Sequence, residues 1–189
     1  MRSIWLLIGF ILMFSFPVNH ITVLPLGGFL LILFATLRME KLETAFKRVR
    51  IALFVAIPIA AILLGLQIYK TATGDGAAKW YEAVYTVTRL LCEIAECSVM
   101  FFLYIGVKII GSGADVPQLE KQSSRNMTLM FVYIVSFIFI TAMRYFVPDS
   151  FVGFEVVIVY PFVLGYIWRA LNVWTAYTLL TKIQVSPIE

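Results

Sequence analysis

Charge is what this chain has least of. Only 14% of its 189 residues are Asp, Glu, Lys or Arg, against 61% that are hydrophobic, whereas a soluble domain is about a quarter charged and about half apolar. That shortage excludes an ordinary soluble core. Histidine occurs once, at His20, and cysteine twice, at Cys92 and Cys97. A centre built from the usual His and thiolate ligands is short of donors, so no metal and no other cofactor is expected. The two cysteines lie five residues apart, about 7.5 Å of axial rise on one helix, which is too far for a disulfide. Buried free thiols are expected instead. Asp75, Asp115 and Asp149 are the only aspartates and all fall in stretches read as loops, so the chain lacks an aspartate pair for intramembrane hydrolysis. HExxH, GxSxG, Walker and strand-linked GxGxxG patterns are missing as well. No enzyme is expected.

Excess positive charge is modest too, with a net charge of +4. The basic residues are spread through short stretches between apolar runs, an arrangement that fits membrane topology and not a nucleic-acid surface. No nucleic-acid partner is expected.

Apolar runs are what the chain has in abundance. About 20 mostly apolar residues cross a hydrocarbon layer of roughly 30 Å, so the chain holds material for about six crossings and little else. The expected fold is all-α: a polytopic transmembrane helical bundle of about six helices in three hairpins, forming one integral membrane domain over residues 1–189. Segments are placed at about 4–18, 24–37, 51–69, 80–110, 127–146 and 151–182. The first two are short and separated by Pro17, Asn19, His20 and Pro25, so that hairpin either spans or re-enters. Arg2 before an apolar run also suits a signal peptide, but small residues suited to cleavage are missing near Pro17, and a retained membrane segment is expected. The third segment contains Pro58, which should kink it. It also carries Ala52, Ala56 and Ala60, four apart, as expected of a helix-packing face in lipid. The stretch 38–50 reads as a polar connector, and GSGADVPQLEKQSS (111–124) as a flexible linker.

With six crossings, Arg2, Arg38, Lys41, Lys47, Arg48, Arg50, Lys108, Lys121, Arg125 and Lys182 fall on one side of the membrane. Lys70, Lys79 and Arg144 fall on the other. The excess places both termini in the cytoplasm. The sequon Asn126-Met127-Thr128 then lies on the cytoplasmic side, where it would not be glycosylated. Three segments close on one basic residue (ILFATLRM, FLYIGVKI, AYTLLTKI), a pattern that an internal repeat or the charge rule alone would produce.

One stretch combines charge with hydrophobicity: RLLCEIAEC, residues 89–97. At about 100° per residue, Arg89, Glu93 and Glu96 share one helical stripe with Glu82, Tyr85 and Met100. Counting back from Lys108 places Glu96 roughly 18 Å deep and Arg89 roughly 28 Å. A charge at mid-membrane costs at least about 2.5–3.5 kcal/mol, so it must face protein or a wet cavity and find a partner. Arg169, 13 residues before Lys182, reaches a similar depth on the last segment, on a face with Tyr166 and Asn172. The expected site is a compensated charge network of Arg89, Glu93, Glu96 and Arg169, lined by Tyr85, Tyr166 and Asn172. Arg169 pairs across helices with Glu96 or Glu93 in this reading, and Arg89 pairs locally with Glu93. Such a network either fixes helix register, binds or relays something, or meets another subunit.

VLPLGGFLLILFATLRMEKLETAFKRVRIA (23–52) resembles the early part of a group of small multispan membrane proteins of Gram-positive bacteria with no established function. The likeness rests on a Leu-Pro followed by a glycine, an apolar helix closing on a basic residue, and a short connector containing Ala45 and Phe46. Where a polar or acidic residue often follows the Leu-Pro in that group, this chain has Leu26. The resemblance implies a helical bundle in a bacterial cell membrane. In length and helix number the chain is also similar to the membrane-embedded substrate-binding subunits of energy-coupling-factor vitamin transporters, which dock through small-residue faces like the row Ala52, Ala56, Ala60.

Two function classes follow. In one, the protein binds or transports a small polar or anionic solute at the charged site. In the other, it is a non-catalytic membrane subunit that assembles with or regulates a membrane or cytoplasmic partner through 38–50 and 111–124. The lipid bilayer is a partner in both.

Overall fold

The computed structural model describes residues 8–9, 23–42, 44–74, 80–146 and 174–175. Among these the chain is almost wholly helical and contains no strand, as an all-α fold requires. Four α-helices are described: α1 (Val23–Leu42), α2 (Lys47–Thr73), α3 (Tyr81–Gly113) and α4 (Pro117–Phe146), with a 3-10 turn, Thr44–Phe46, between α1 and α2. The segments expected at 4–18 and 151–182 lie outside the described residues, apart from helical positions at Ile8, Gly9, Trp174 and Thr175. The six-helix count and the side on which the termini lie therefore rest on residues that are not described. The chain divides into two units, Met1–Phe102 and Leu103–Glu189, with the boundary inside α3.

In the first unit, α1 packs on α2. The expected polar connector shrinks to a corner, because α1 continues through Leu42 and α2 begins at Lys47. Phe46, one of the residues of the family-like motif, is fully buried at that corner. α2 buries a single stripe, Val49, Leu53, Ala56, Ala60 and Leu63, spaced at three and four residues as one helical face. Two of the three alanines noted in the sequence, Ala56 and Ala60, are on it, and small side chains let helix backbones approach closely. Pro58 sits within α2 without ending it, and its ring removes the amide that would bond the Phe54 carbonyl. Gly9 shows how near a neighbour can come to α1: a Cβ there would stand 2.8 Å from the Leu31 Cβ and 3.1 Å from the Gly28 carbonyl oxygen. In α1 the buried Thr36 hydroxyl donates to the Ile32 carbonyl of its own helix at 2.7 Å. That bond satisfies a polar group without water.

The opposite face of α2 is uncovered among the described residues. Ile51, Phe54, Val55, Ile62 and Ile68 are each more than half exposed. Two described stretches, Thr44–Thr73 and Tyr81–Gly113, are long and apolar enough to cross a membrane.

In the second unit, the expected flexible linker at 111–124 proves to be ordered hairpin. α3 ends in a Schellman motif, in which the Val116 amide donates to the Gly111 carbonyl at 2.8 Å and the Asp115 amide to the Ser112 carbonyl at 3.4 Å. Asp115 takes the left-handed position, with φ 53°, that such a cap requires and glycine usually fills. Pro117 then opens α4, where its missing amide costs nothing and its fixed φ suits the first turn. Gly111 is the contact point: a Cβ there would lie 3.0 Å from the Glu120 amide nitrogen and 3.3 Å from the Leu119 Cβ. α4 thus begins ten residues earlier than the apolar pattern suggested. Its buried stripe is Leu119, Ser123, Asn126, Met130 and Tyr133, again spaced at fours and threes. Lys108 and Glu120 face each other across the turn at 3.9 Å, both partly exposed.

Candidate functional site

α3 carries the charged stretch. Its 33 residues include no proline and no glycine before Gly106, and Glu82 in the first turn complements the helix dipole. The buried face runs through Thr88, Cys92, Ala95, Glu96, Val99 and Met100. Glu96 is 5% exposed, 15 residues after Tyr81 and 12 before Lys108, or roughly 22 and 18 Å from those markers. It is a carboxyl group in the middle of an apolar helix.

The expected polar face is rotated relative to the buried one by roughly 60°. Glu96 and Met100 belong to both. Glu93 is half-buried, with a polar or electrostatic partner of its own, while Arg89 and Glu82 are exposed. Tyr85 is half-buried near the start of α3. It accepts a hydrogen bond from the Gln67 amide at 3.4 Å and stacks on Tyr81 with ring centroids 5.6 Å apart. Tyr85 thus belongs to an aromatic group at the α2–α3 hairpin. In that group Tyr69 stacks on Trp80 at 5.8 Å, Lys70 pairs with Glu82 at 3.2 Å and its Nζ lies 5.2 Å from the Tyr81 ring centroid. Arg169, Tyr166 and Asn172 lie outside the described residues, and the cross-helix pairing of Arg169 with Glu96 or Glu93 lies there with them.

Cys92 and Cys97 are both buried and free. They flank Glu96 on α3. Among the described residues no three His, Cys, Asp or Glu side chains are grouped to hold a metal ion.

A second set of polar groups was not singled out in the sequence. Ser123 and Asn126 are 0% and 2% exposed on α4, and neither the Ser123 hydroxyl nor the Asn126 amide nitrogen has a hydrogen-bond partner among the described residues. Leaving such groups unpaired costs about 1–3 kcal/mol each. Leu119, Ser123, Asn126, Met130 and Tyr133 keep helical spacing, but with two polar members the stripe does not stand out as an apolar period. Burial of Asn126 also removes the sequon's acceptor from any glycan, whichever side of the membrane it lies on.

The α2–α3 pair also bounds an apolar groove of about 380 Å³. Its floor is small: Ala95 is buried and Ala52 half-buried. Larger aliphatic side chains of both helices form the walls, and Arg48 stands at one end.

No protein-family model, no curated protein and no solved structure matches this chain.

Proposed function

We propose that the chain is a multi-pass membrane protein whose interior polar site, centred on Glu96, binds or moves a small polar solute. The observation that carries this reading is Glu96 itself, 5% exposed at the middle of a helix long and apolar enough to cross a membrane. An ionised carboxylate in that setting needs a cationic or hydrogen-bonding partner, and ionisable groups held within membranes are functional candidates by default. Membrane embedding is supported by the uncovered apolar face of α2. The aromatic group around Tyr69 and Trp80 supports it too, since Trp and Tyr concentrate where the bilayer meets water. Arg169, Tyr166 and Asn172 remain assigned to the same site by their register in the last segment, as do Arg89, Glu93 and Tyr85 along α3.

Thermal unfolding of the detergent-solubilised chain against a panel of sugars, amino acids and nucleosides tests the reading. A solute that stabilises the wild type should lose its effect in Glu96→Gln and in Arg169→Ala while both variants stay folded. Equal stabilisation of all three proteins would refute it. The other class, a non-catalytic subunit that assembles with or regulates a partner, draws on the exposed Lys47 and Arg48 at the start of α2. Native mass spectrometry after mild solubilisation separates the two, because that class requires a stoichiometric second protein.

A further inference from the structure

The groove between α2 and α3 has the dimensions and charge layout of a seat for one lipid chain. From α2 it is lined by Arg48, Ile51, Ala52, Val55 and Ile59, and from α3 by Leu91, Ile94, Ala95, Ser98 and Phe102. Both sets keep helical spacing over twelve positions, 48–59 and 91–102, so each is one continuous helical stripe about 16 Å long. One leaflet of the hydrocarbon layer is about 15 Å deep, half of roughly 30 Å. Because Lys70 meets Glu82 at the hairpin end, Arg48 and Phe102 lie toward the opposite end, and the groove runs from a guanidinium into a largely apolar trough. Ser98, the other polar residue in the lining, already donates its hydroxyl to the Ile94 carbonyl at 2.8 Å, so it asks nothing of an occupant.

Ile51, Val55, Leu91 and Ile94 are each more than a third exposed; the trough is open along its length rather than closed inside the protein. Charge at its mouth is one-sided. Lys47 and Arg48 are exposed there, and the sequence from 38 to 50 holds five Lys or Arg against Glu40 and Glu43. Basic groups next to an interhelical trough favour anionic lipid headgroups.

We propose that this groove binds a single anionic phospholipid from the leaflet on the basic side. One acyl chain lies over Ala52 and Ala95, and the phosphate meets the Arg48 guanidinium. The proposal rests on the membrane reading above but not on the Glu96 site. Arg48 supplies headgroup selectivity through charge-assisted hydrogen bonds. The alanine floor supplies room for the chain.

The test uses the full chain in mild detergent with an equimolar mixture of phosphatidylglycerol and phosphatidylcholine of matched chains, read by native mass spectrometry. The wild type should retain phosphatidylglycerol about five-fold over phosphatidylcholine, the ratio expected of one basic side chain near a lipid surface. Arg48→Gln should bring the ratio near one while lipid is still retained. Ala52→Phe, which fills the floor, should cut retention of both lipids, and Lys121→Gln on α4 should change neither quantity. A wild type with no preference, or an Arg48→Gln variant that keeps it, overturns the proposal whether or not Ala52→Phe folds. Dimers that displace lipid and dissociate in Ala52→Phe would assign the groove to a second copy of the chain and overturn it as well. Carbonate extraction of membranes separates the two levels. Release of the chain to the soluble fraction would refute membrane embedding, whereas a retained chain without lipid preference refutes the groove alone.

Discussion

Ile62 and Ile68 on α2 allow depth to be separated from exposure. They are 56% and 61% exposed, so in water replacing either with arginine should change stability by no more than about 0.5 kcal/mol. In a bilayer the two differ. From Arg50 to Lys70 α2 rises about 30 Å, the thickness of the hydrocarbon layer. Ile62 lies about 12 Å inside the Lys70 end and Ile68 about 3 Å. Arginine near the centre of a spanning helix costs about 2.5–3.5 kcal/mol, and the lost isoleucine adds a further 0.3–0.6 or so. Ile62→Arg should therefore cost about 3–4 kcal/mol, a factor of roughly a hundred to a thousand. Ile68→Arg can snorkel to the headgroups and should cost under about 1 kcal/mol. The assay is the carbonate-resistant fraction of each variant on expression, followed by unfolding in lipid nanodiscs. Equal behaviour of the two variants, or better yield of Ile62→Arg as a soluble protein, would refute the assignment of this face to lipid.

Other outcomes follow from the hairpin and from the thiols. Gly111→Leu should destabilise the chain by about 1–3 kcal/mol in thermal melts, because its side chain would drive into the backbone at Glu120. Asp115→Gly should stabilise it by about 0.5–1 kcal/mol, since glycine takes the left-handed position without a Cβ penalty; a loss of stability there would contradict the cap geometry. Cys92 and Cys97 should resist a membrane-impermeant maleimide in the folded chain and react only after unfolding. They should form no intramolecular disulfide under oxidation, and a mobility shift on non-reducing gels would show otherwise.

Helix identity was legible where apolar character is continuous. α2 and α3 were placed within a few residues because apolar residues dominate both, even though Arg89, Glu93 and Glu96 interrupt α3. Their true ends were less clear: Arg38, Lys41, Lys47 and Arg48 look like connector, yet charged residues outside a hydrocarbon layer are good helix formers. The error at 111–124 has a different cause. Gly111, Asp115 and Pro117 do mark a turn, but a three-residue one. The polar residues after it belong to a helix whose inward stripe uses Ser123 and Asn126, and no apolar period reveals that. Within the charged stretch, Glu96 was correctly placed inside. Arg89 shares its stripe by register but is exposed, midway between Tyr81 and the centre of α3. Burial of Ala56 and Ala60 follows from their size and spacing, as expected.

Spin labels placed singly along α2 test the central claim most directly. Labels at Phe54, Val55 and Ile62 should be accessible to dissolved oxygen and shielded from a polar nickel reagent, while labels at Ala56 and Ala60 should be shielded from both. Nickel accessibility at Phe54, Val55 and Ile62 equal to that at the helix ends would place this face in water and contradict the account.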